Sequence, residues 1–319
     1  MSPLPLVSTE STRSVVVTLF EGDYHLGAAV LINSLCAAGF TGRVVCGHRG
    51  PSPHWAEAAV RLGPVEVSFV SLETTIHLTN YKPEFLLHVW TGLHPQAERI
   101  FYFDPDVVIK ADWGFFEEWA GYGVALIEDV NSPLPESHPR RGAWRRCLSL
   151  RLKRVRRETP LYVNGGFIGL CDAQRGFLHE WREAMALVGA EIGGLERSMF
   201  SFGAVRPDME SPAYPFSKTD QDALNIAVMT ASQPVSIMGA EAMDFRQGGW
   251  TLSHALGPEK PWRKKMVRAA LAGRAPTPSD RAFWRHATAP LPVFPAPVAA
   301  WKRFTVSLAG LIGRFYRRS

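Results

Sequence analysis

Apolar and polar positions along this 319-residue chain fall into short buried runs that alternate with helically spaced ones. Ser14 to Phe20 is an apolar run rich in β-branched residues, which predicts a buried first strand. After Glu21-Gly22-Asp23-Tyr24, apolar residues from Leu26 to Leu35 recur at helical spacing, and the run ends at Gly39. A second strand is expected over 42–47, a second helix from His54 to Leu62, and a third strand over 65–70, where residues alternate. Glu98 to Val108, containing Arg99-Ile100-Phe101-Tyr102-Phe103, is expected as one central strand. Val124 to Ile127 and Tyr162 to Leu170 read as further strands, the latter interrupted by Gly165 and Gly166. A glycine inside a strand often marks close approach of a ligand or another backbone. Helices are expected from Arg175 to about Val188 and from Asp220 to about Met229, with Thr219 as N-cap. This alternation predicts an α/β fold, a mostly parallel sheet with helices on both faces.

The end of the chain reads differently. Six prolines between Pro276 and Pro297 predict an extended connector. Trp301, Phe304, Leu308, Leu311 and Phe315 then recur at spacings of three and four, one apolar stripe on a helix within Trp301 to Ser319. Lys302, Arg303, Arg314, Arg317 and Arg318 lie off the stripe. One reading packs this helix on the body; the other lays it on anionic lipid, aromatics in the acyl boundary and bases at the head groups. The lack of acids and the Pro-rich tether favour the second. The pattern divides the chain into a main domain over 1–275 and a C-terminal extension over 276–319.

Composition, 46% hydrophobic and 20% charged, is that of a folded globular protein. Cys36, Cys46, Cys147 and Cys171 are scattered without a C-x-x-C pair, which argues against a zinc ribbon or disulfide framework and suits a reducing cytosol. The N-terminus lacks the basic-then-apolar order of a signal peptide, and no run approaches the roughly 18 apolar residues needed to span a bilayer. A cytoplasmic protein is expected, peripheral on the inner face of the cytoplasmic membrane if the last helix lies on lipid. The net charge of +5 is unevenly placed: Arg140 to Arg157 holds nine Lys/Arg and no acid, and after Asp280 there are seven Lys/Arg and no acid. Two basic patches point to a local anionic partner. Nucleic acid is not expected, because the only aromatic residue of the Arg-rich stretch is Trp144.

Candidate chemistry begins at Phe103-Asp104-Pro105-Asp106. Two carboxylates two apart on an extended chain point the same way, and each raises the other's pKa. A divalent cation removes that cost, and hard oxygen ligands suit Mg²⁺ or Mn²⁺. The alternative is a strand followed by an acidic turn. Downstream, Thr219-Asp220-Gln221-Asp222-Ala223-Leu224-Asn225 puts two carboxylates and amides at a helix start. His254, Gly257 and Lys260, in His254-Ala255-Leu256-Gly257-Pro258-Glu259-Lys260-Pro261-Trp262, add a nitrogen ligand, a glycine permitting close approach and an ammonium suited to phosphate.

With Val163-Asn164-Gly165-Gly166, these motifs resemble glycosyltransferase family 8, the retaining enzymes of GT-A fold related to bacterial lipopolysaccharide galactosyl- and glucosyltransferases and to glycogenin. The resemblance runs from about Val15 to Trp262. It implies a metal-dependent hexosyltransferase of lipopolysaccharide or polysaccharide biosynthesis. The donor would be a nucleoside-diphosphate sugar, usually of uridine, and the acceptor a glycan or glycolipid. Asp104, Asp106 and His254 would then ligate Mn²⁺ or Mg²⁺, with Pro105 between the aspartates at the donor. Gly257 and Lys260 would meet the donor diphosphate. Tyr24 would stack on the base with Thr18 beside it, and Lys82 would hold the basic position that precedes D-x-D and faces the donor. Asp129 and Asn164 would contact the donor sugar, and Asp220 and Gln221 would sit beside the anomeric carbon. No covalent nucleophile is assigned, and a leaving phosphate oxygen could take the acceptor's proton. The 140–157 stretch falls where the family has a variable loop near the acceptor, and reads as a lid, a glycolipid contact or plain surface. Competing readings are a haloacid-dehalogenase-type phosphatase, a nucleotidyltransferase and an inactive membrane-tethered sugar-nucleotide-binding protein.

Overall fold

The computed structural model describes residues 14–60, 62–196, 198 and 214–315. The start of the chain and the last four residues, Arg317 and Arg318 among them, lie outside the described residues.

Seven strands form one sheet. In chain order the first four are β1 (Ser14–Glu21), β2 (Arg43–Arg49), β3 (Glu66–Ser71) and β4 (Arg99–Phe103). β5 (Val107–Ile109) stands outside this sheet; β6 (Val124–Ile127), β7 (Phe167–Cys171) and β8 (Val235–Met238) complete it. The order is β3-β2-β1-β4-β7-β6-β8, parallel throughout except that β7 runs antiparallel to both neighbours. β1 is buried along nearly its whole length, as its unbroken apolar sequence requires of a central parallel strand. The chain leaves β1 toward β2 on one side and returns to β4 on the other, so a crevice opens beyond the C-terminal ends of β1 and β4.

Strand alternation divides the apolar residues between two cores. Val16, Phe20, Phe101 and Phe103 face one layer, and Val15, Val17, Ile100 and Tyr102 the other. The first layer holds α1 (His25–Ala37) and α4 (Trp113–Ala120). The same layer takes residues of α8 (Met266–Leu271), α9 (Pro278–Arg285) and α10 (Ala296–Ile312) into its core. The second layer holds α3 (Lys82–His88), α5 (Pro139–Leu150), α6 (Gly176–Ile192) and α7 (Thr219–Thr230). α2 (Ala56–Ala59) is a single turn where a helix over 54–62 was expected.

Four further differences matter. The expected strand Glu98–Val108 is cut at Phe103: the chain turns through 104–106 and resumes as β5, which pairs with β9 (Leu252–His254) in a separate two-stranded sheet. The aspartates therefore converge by a turn rather than by a pleat. The expected strand Tyr162–Leu170 begins only at Phe167, since 164–166 form a turn. Thr219 is the first residue of α7, not a side-chain cap; its hydroxyl donates to Asn80 Oδ1. The Pro-rich segment is not extended throughout. Pro278 sits in the first turn of α9, where a missing N–H costs nothing, and a Thr277/Asp280 capping box starts the helix.

The basic stretch 140–157 is helical over most of its length. Arg141 is buried, donating to Leu134 O (2.6 Å) and Leu161 O (2.8 Å), and Arg157 donates to Val228 O and Gln233 O. Those two guanidiniums are structural ties. Among the described residues no helix is long and apolar enough to cross a membrane.

Asn33, buried in α1, ties the segment after α9 to the body. Its Nδ2 donates to His286 O (2.6 Å) and Leu291 O (2.9 Å), and its Oδ1 accepts from Leu291 N–H (2.7 Å). Asn33→Ala strands these buried backbone groups and should lower stability by roughly 3 kcal/mol in urea unfolding. A loss under about 0.5 kcal/mol would mean the groups find other partners.

Candidate active site

The aspartates sit where β4 leaves the sheet. Asp104 N–H donates to Gly166 O (2.8 Å), which locks the turn to the start of β7. Pro105 presses on α1: a Cβ at Gly27 would lie 2.3 Å from Pro105 O, so only glycine admits the turn. β5 is held to the same helix by Ile109 N–H donating to Ser34 Oγ (3.0 Å). The β5–β9 ladder then pairs Val107 with His254, and Ala255 N–H donates to Asp106 O (3.1 Å). Backbone pairing thus carries His254 across 148 positions to the aspartates.

His254 Nε2 lies 3.2 Å from Asp106 Oδ1 and 3.9 Å from Asp104 Oδ2. One ligand atom from each of the three residues falls within 4.8 Å of the others, so the group could bind a metal. Two carboxylate oxygens and one imidazole nitrogen fit Mn²⁺ or Mg²⁺ chemistry. The fit is tight at Gly166, where an added Cβ would lie 2.7 Å from His254 Cε1 and 3.1 Å from Asp104 Oδ2. The Phe245 ring packs at 5.7 Å from the imidazole.

Two lysines neutralise these carboxylates. Lys260 Nζ donates to Asp106 Oδ2 (2.5 Å) and Ala255 O (2.7 Å). Burial alone would raise the Asp106 pKa, but the Lys260 ammonium and His254 outweigh it and hold the carboxyl far below its ordinary range. Lys82, fully buried, puts its ammonium 3.0 Å from Asp104 Oδ1, 2.8 Å from Asp220 Oδ2 and 2.9 Å from Gly165 O. Desolvation would lower its pKa, yet Asp104 and Asp220 raise it, so Lys82 stays charged. Tyr102, beneath the Lys82 ammonium, donates its hydroxyl to Asp104 Oδ1 (2.8 Å).

The start of α7 meets the turn before β7. Gly165 N–H donates to Gln221 Oε1 (3.1 Å), and Val163 N–H donates to Asn225 Oδ1 (2.9 Å). Asn164 Nδ2 donates to Asp129 Oδ2 (2.7 Å), while its Oδ1 accepts from Gly166 N–H (2.8 Å). Asp129 also accepts from Asn131 and faces Lys218 Nζ at 3.4 Å. One cluster of hydrogen bonds and charge contacts therefore joins Lys82, Asp104, Asp106, Asn164, Asp220, Gln221, His254 and Lys260, with Asp129 at its edge.

Tyr24 stands beside this cluster, half-buried, edge-on to Trp262 (5.5 Å) and with Lys260 5.8 Å from its ring centre. Thr18 is buried inside β1, and Gly257 is exposed on a turn at φ +79°. Among the described residues, no hydrogen bond or ion pair joins either to the carboxylate group. The expectations missed Asp23, which accepts from Arg263 and from Trp262 Nε1 (3.0 Å) and so clips the loop after β1 to the loop after β9. They also missed Tyr162, whose hydroxyl donates to buried Asp222 (2.7 Å). Asp23, Trp262, Tyr162 and Asp222 all lie inside motifs of the sequence and Arg263 directly after one, but no spacing rule pairs residues that far apart.

No family model matches this chain, and no curated protein matches it by sequence. Solved structures do match. The galactosyltransferase LgtC, in complex with donor and acceptor sugar analogues, aligns with 90% of this chain and 99% of its own, at 14% identity and TM-score 0.51. The bifunctional glycosyltransferase WbbM aligns with 95% of this chain at 14% identity and TM-score 0.53; the match spans 53% of that chain, about half its length. The glycosyltransferase GlyE of Streptococcus pneumoniae aligns with 93% of this chain and 64% of its own, at 12% identity and TM-score 0.51. The chain therefore has the GT-A-like fold of these glycosyltransferases, over nearly its whole length.

Gly166→Ala should weaken Mn²⁺ binding at least about tenfold with the fold retained, as read by titration calorimetry and circular dichroism. Unchanged affinity would separate the cluster from metal binding. Asp222 offers a second test. Burial outweighs its hydrogen bonds from Tyr162 and Lys218 and raises its pKa from 3.8 to about 7. The folded state thus keeps a proton that the unfolded chain releases near 3.8, and the stability this gives is lost as pH rises toward 7. The unfolding free energy of the wild type, relative to Asp222→Asn, should fall over that window and level off above it. A flat difference would refute the shift.

Proposed function

We propose that this chain is a metal-dependent glycosyltransferase that moves a hexose from a nucleoside-diphosphate sugar, UDP in our reading, to a glycan or glycolipid acceptor with retention. The observation that carries the reading is the junction of Asp104, Asp106 and His254 with Lys260, at the crevice where the two central strands end. That is where open α/β sheets bind their ligands. LgtC, with its donor and acceptor analogues, supplies the analogy for a donor and an acceptor.

Asp104, Asp106 and His254 would hold Mn²⁺ or Mg²⁺, which when bound offsets the negative charge gathering on a departing diphosphate. Lys260 is the ammonium nearest those ligands and would serve a diphosphate oxygen. Tyr24, with a ring face toward Lys260 and an edge on Trp262, is placed to flank the base. Gln221 Nε2 and Thr18 Oγ1 are buried with no hydrogen-bond partner among the described residues. A buried donor without a partner is costly, so each would gain from a ligand oxygen. Asn164 and Asp129 would bind hydroxyls of the donor sugar.

Asp220 would orient the sugar rather than attack it, because Lys82 already holds its carboxylate. Gln221 is no nucleophile, so the acceptor hydroxyl would attack from the face the diphosphate leaves, losing its proton to a diphosphate oxygen. A haloacid-dehalogenase phosphatase wants its aspartates after the first strand, whereas here three strands precede β4.

The test is a panel of nucleotide sugars with Mn²⁺, followed as donor hydrolysis. At least one donor should turn over, chelator should abolish turnover, and Lys260→Met should lower kcat on the order of 100-fold. Full turnover in chelator would contradict the metal role. Phosphomonoester hydrolysis without donor turnover would favour the phosphatase, and donor binding without turnover an inactive binding protein.

A further inference from the structure

α10 packs on the body through its small face. Ala299, Val306 and Ala309 are buried, whereas the large residues of the stripe point outward: Trp301 is 63% exposed, Phe304 56%, Leu311 51% and Phe315 88%. Val298 and Leu308 continue the same exposed face. From Val298 to Phe315 this face runs about 26 Å at the helical rise. An amphipathic helix that covered the core with its stripe would show the reverse.

Beside the stripe, between α9 and α10, lies a cavity of about 600 Å³ whose lining includes Arg281, Arg285, Arg303, Arg314, Trp284 and Gly310. Among the described residues none of the four guanidiniums pairs with a carboxylate. Asp280, the last acid of the chain, is already taken by Lys264 (2.7 Å). Four arginines gathered around one cavity repel one another unless an anion joins them, and guanidinium forks suit phosphate oxygens.

We propose that the α9–α10 face is a docking surface for an anionic phospholipid bilayer, with the arginine cavity receiving a lipid phosphate and the stripe entering the acyl boundary. A bilayer supplies both complements side by side, negative head groups and apolar interior. A second copy of the chain would bring the same positive charge to the contact. The proposal is independent of the glycosyl-transfer reading, and donor turnover reports on that site separately.

The experiment is co-sedimentation of the full chain with phosphatidylcholine vesicles and with vesicles mixing phosphatidylcholine and phosphatidylglycerol. Binding should be at least about tenfold tighter to the mixed vesicles and weaken with salt. A Trp301→Ser, Phe304→Ser, Leu308→Ser variant should lose vesicle binding with its circular dichroism unchanged, because these side chains are exposed. An Arg281→Gln, Arg285→Gln, Arg314→Gln variant should keep weak binding but lose the preference for mixed vesicles. Equal binding to both vesicles, or undiminished binding by the stripe variant, would overturn the proposal. So would occupancy of the cavity by inorganic phosphate without vesicle binding, or a dimer in solution that only the stripe variant dissociates.

Discussion

The contact on which the site depends is the Lys82 ammonium set between Asp104 and Asp220. Three carboxylates brought together out of water would repel one another. Lys82 on one side and Lys260 on the other offset that repulsion, at the cost of burying two ammonium groups that hydrogen bonds to Gly165 O and Ala255 O help to satisfy. The chain elements follow from this. α3 delivers Lys82 from one layer, the loop after β9 delivers Lys260 from the other, and the turn between β4 and β5 sits between them. Glycine at 27 and 166 is what lets helix, turn and imidazole approach so closely.

Much of the frame was legible in the sequence. β1, the Arg99–Phe103 core of β4 and Val124–Ile127 are apolar runs whose burial leaves one solution, and the alternation of strands and helices gave a mostly parallel sheet. The remote partnership of Asp104, Asp106 and His254 was legible only as a resemblance of motifs. Its physical cause, a ladder three residues long between β5 and β9, is too short to leave a periodic signal. Proline content misled at 276–297, because a proline at the first turn of a helix is compatible with it and Phe283 and Trp284 drive α9 into the core.

The same limit applies to the C-terminal stripe. Spacing alone announced one apolar face on the helix but could not say whether that face pointed in or out. The choice is made by Ala299, Val306 and Ala309, whose small side chains allow α10 to lie close against α8 and α9. Charge patches were likewise ambiguous until placed. Arg141 and Arg157 serve backbone carbonyls of the second layer, whereas Arg281, Arg285 and Arg314 line an open cavity.

The central claim is that Asp104, Asp106 and His254 form one metal centre. Its most direct measurement is anomalous diffraction at the manganese edge from crystals grown with Mn²⁺ and a nucleoside diphosphate. The account predicts one peak bonded to both carboxylates and to His254 Nε2, with Lys260 Nζ moved from Asp106 toward a phosphate oxygen. No peak at this group, with Lys260 still paired to Asp106 and the nucleotide bound, would contradict it.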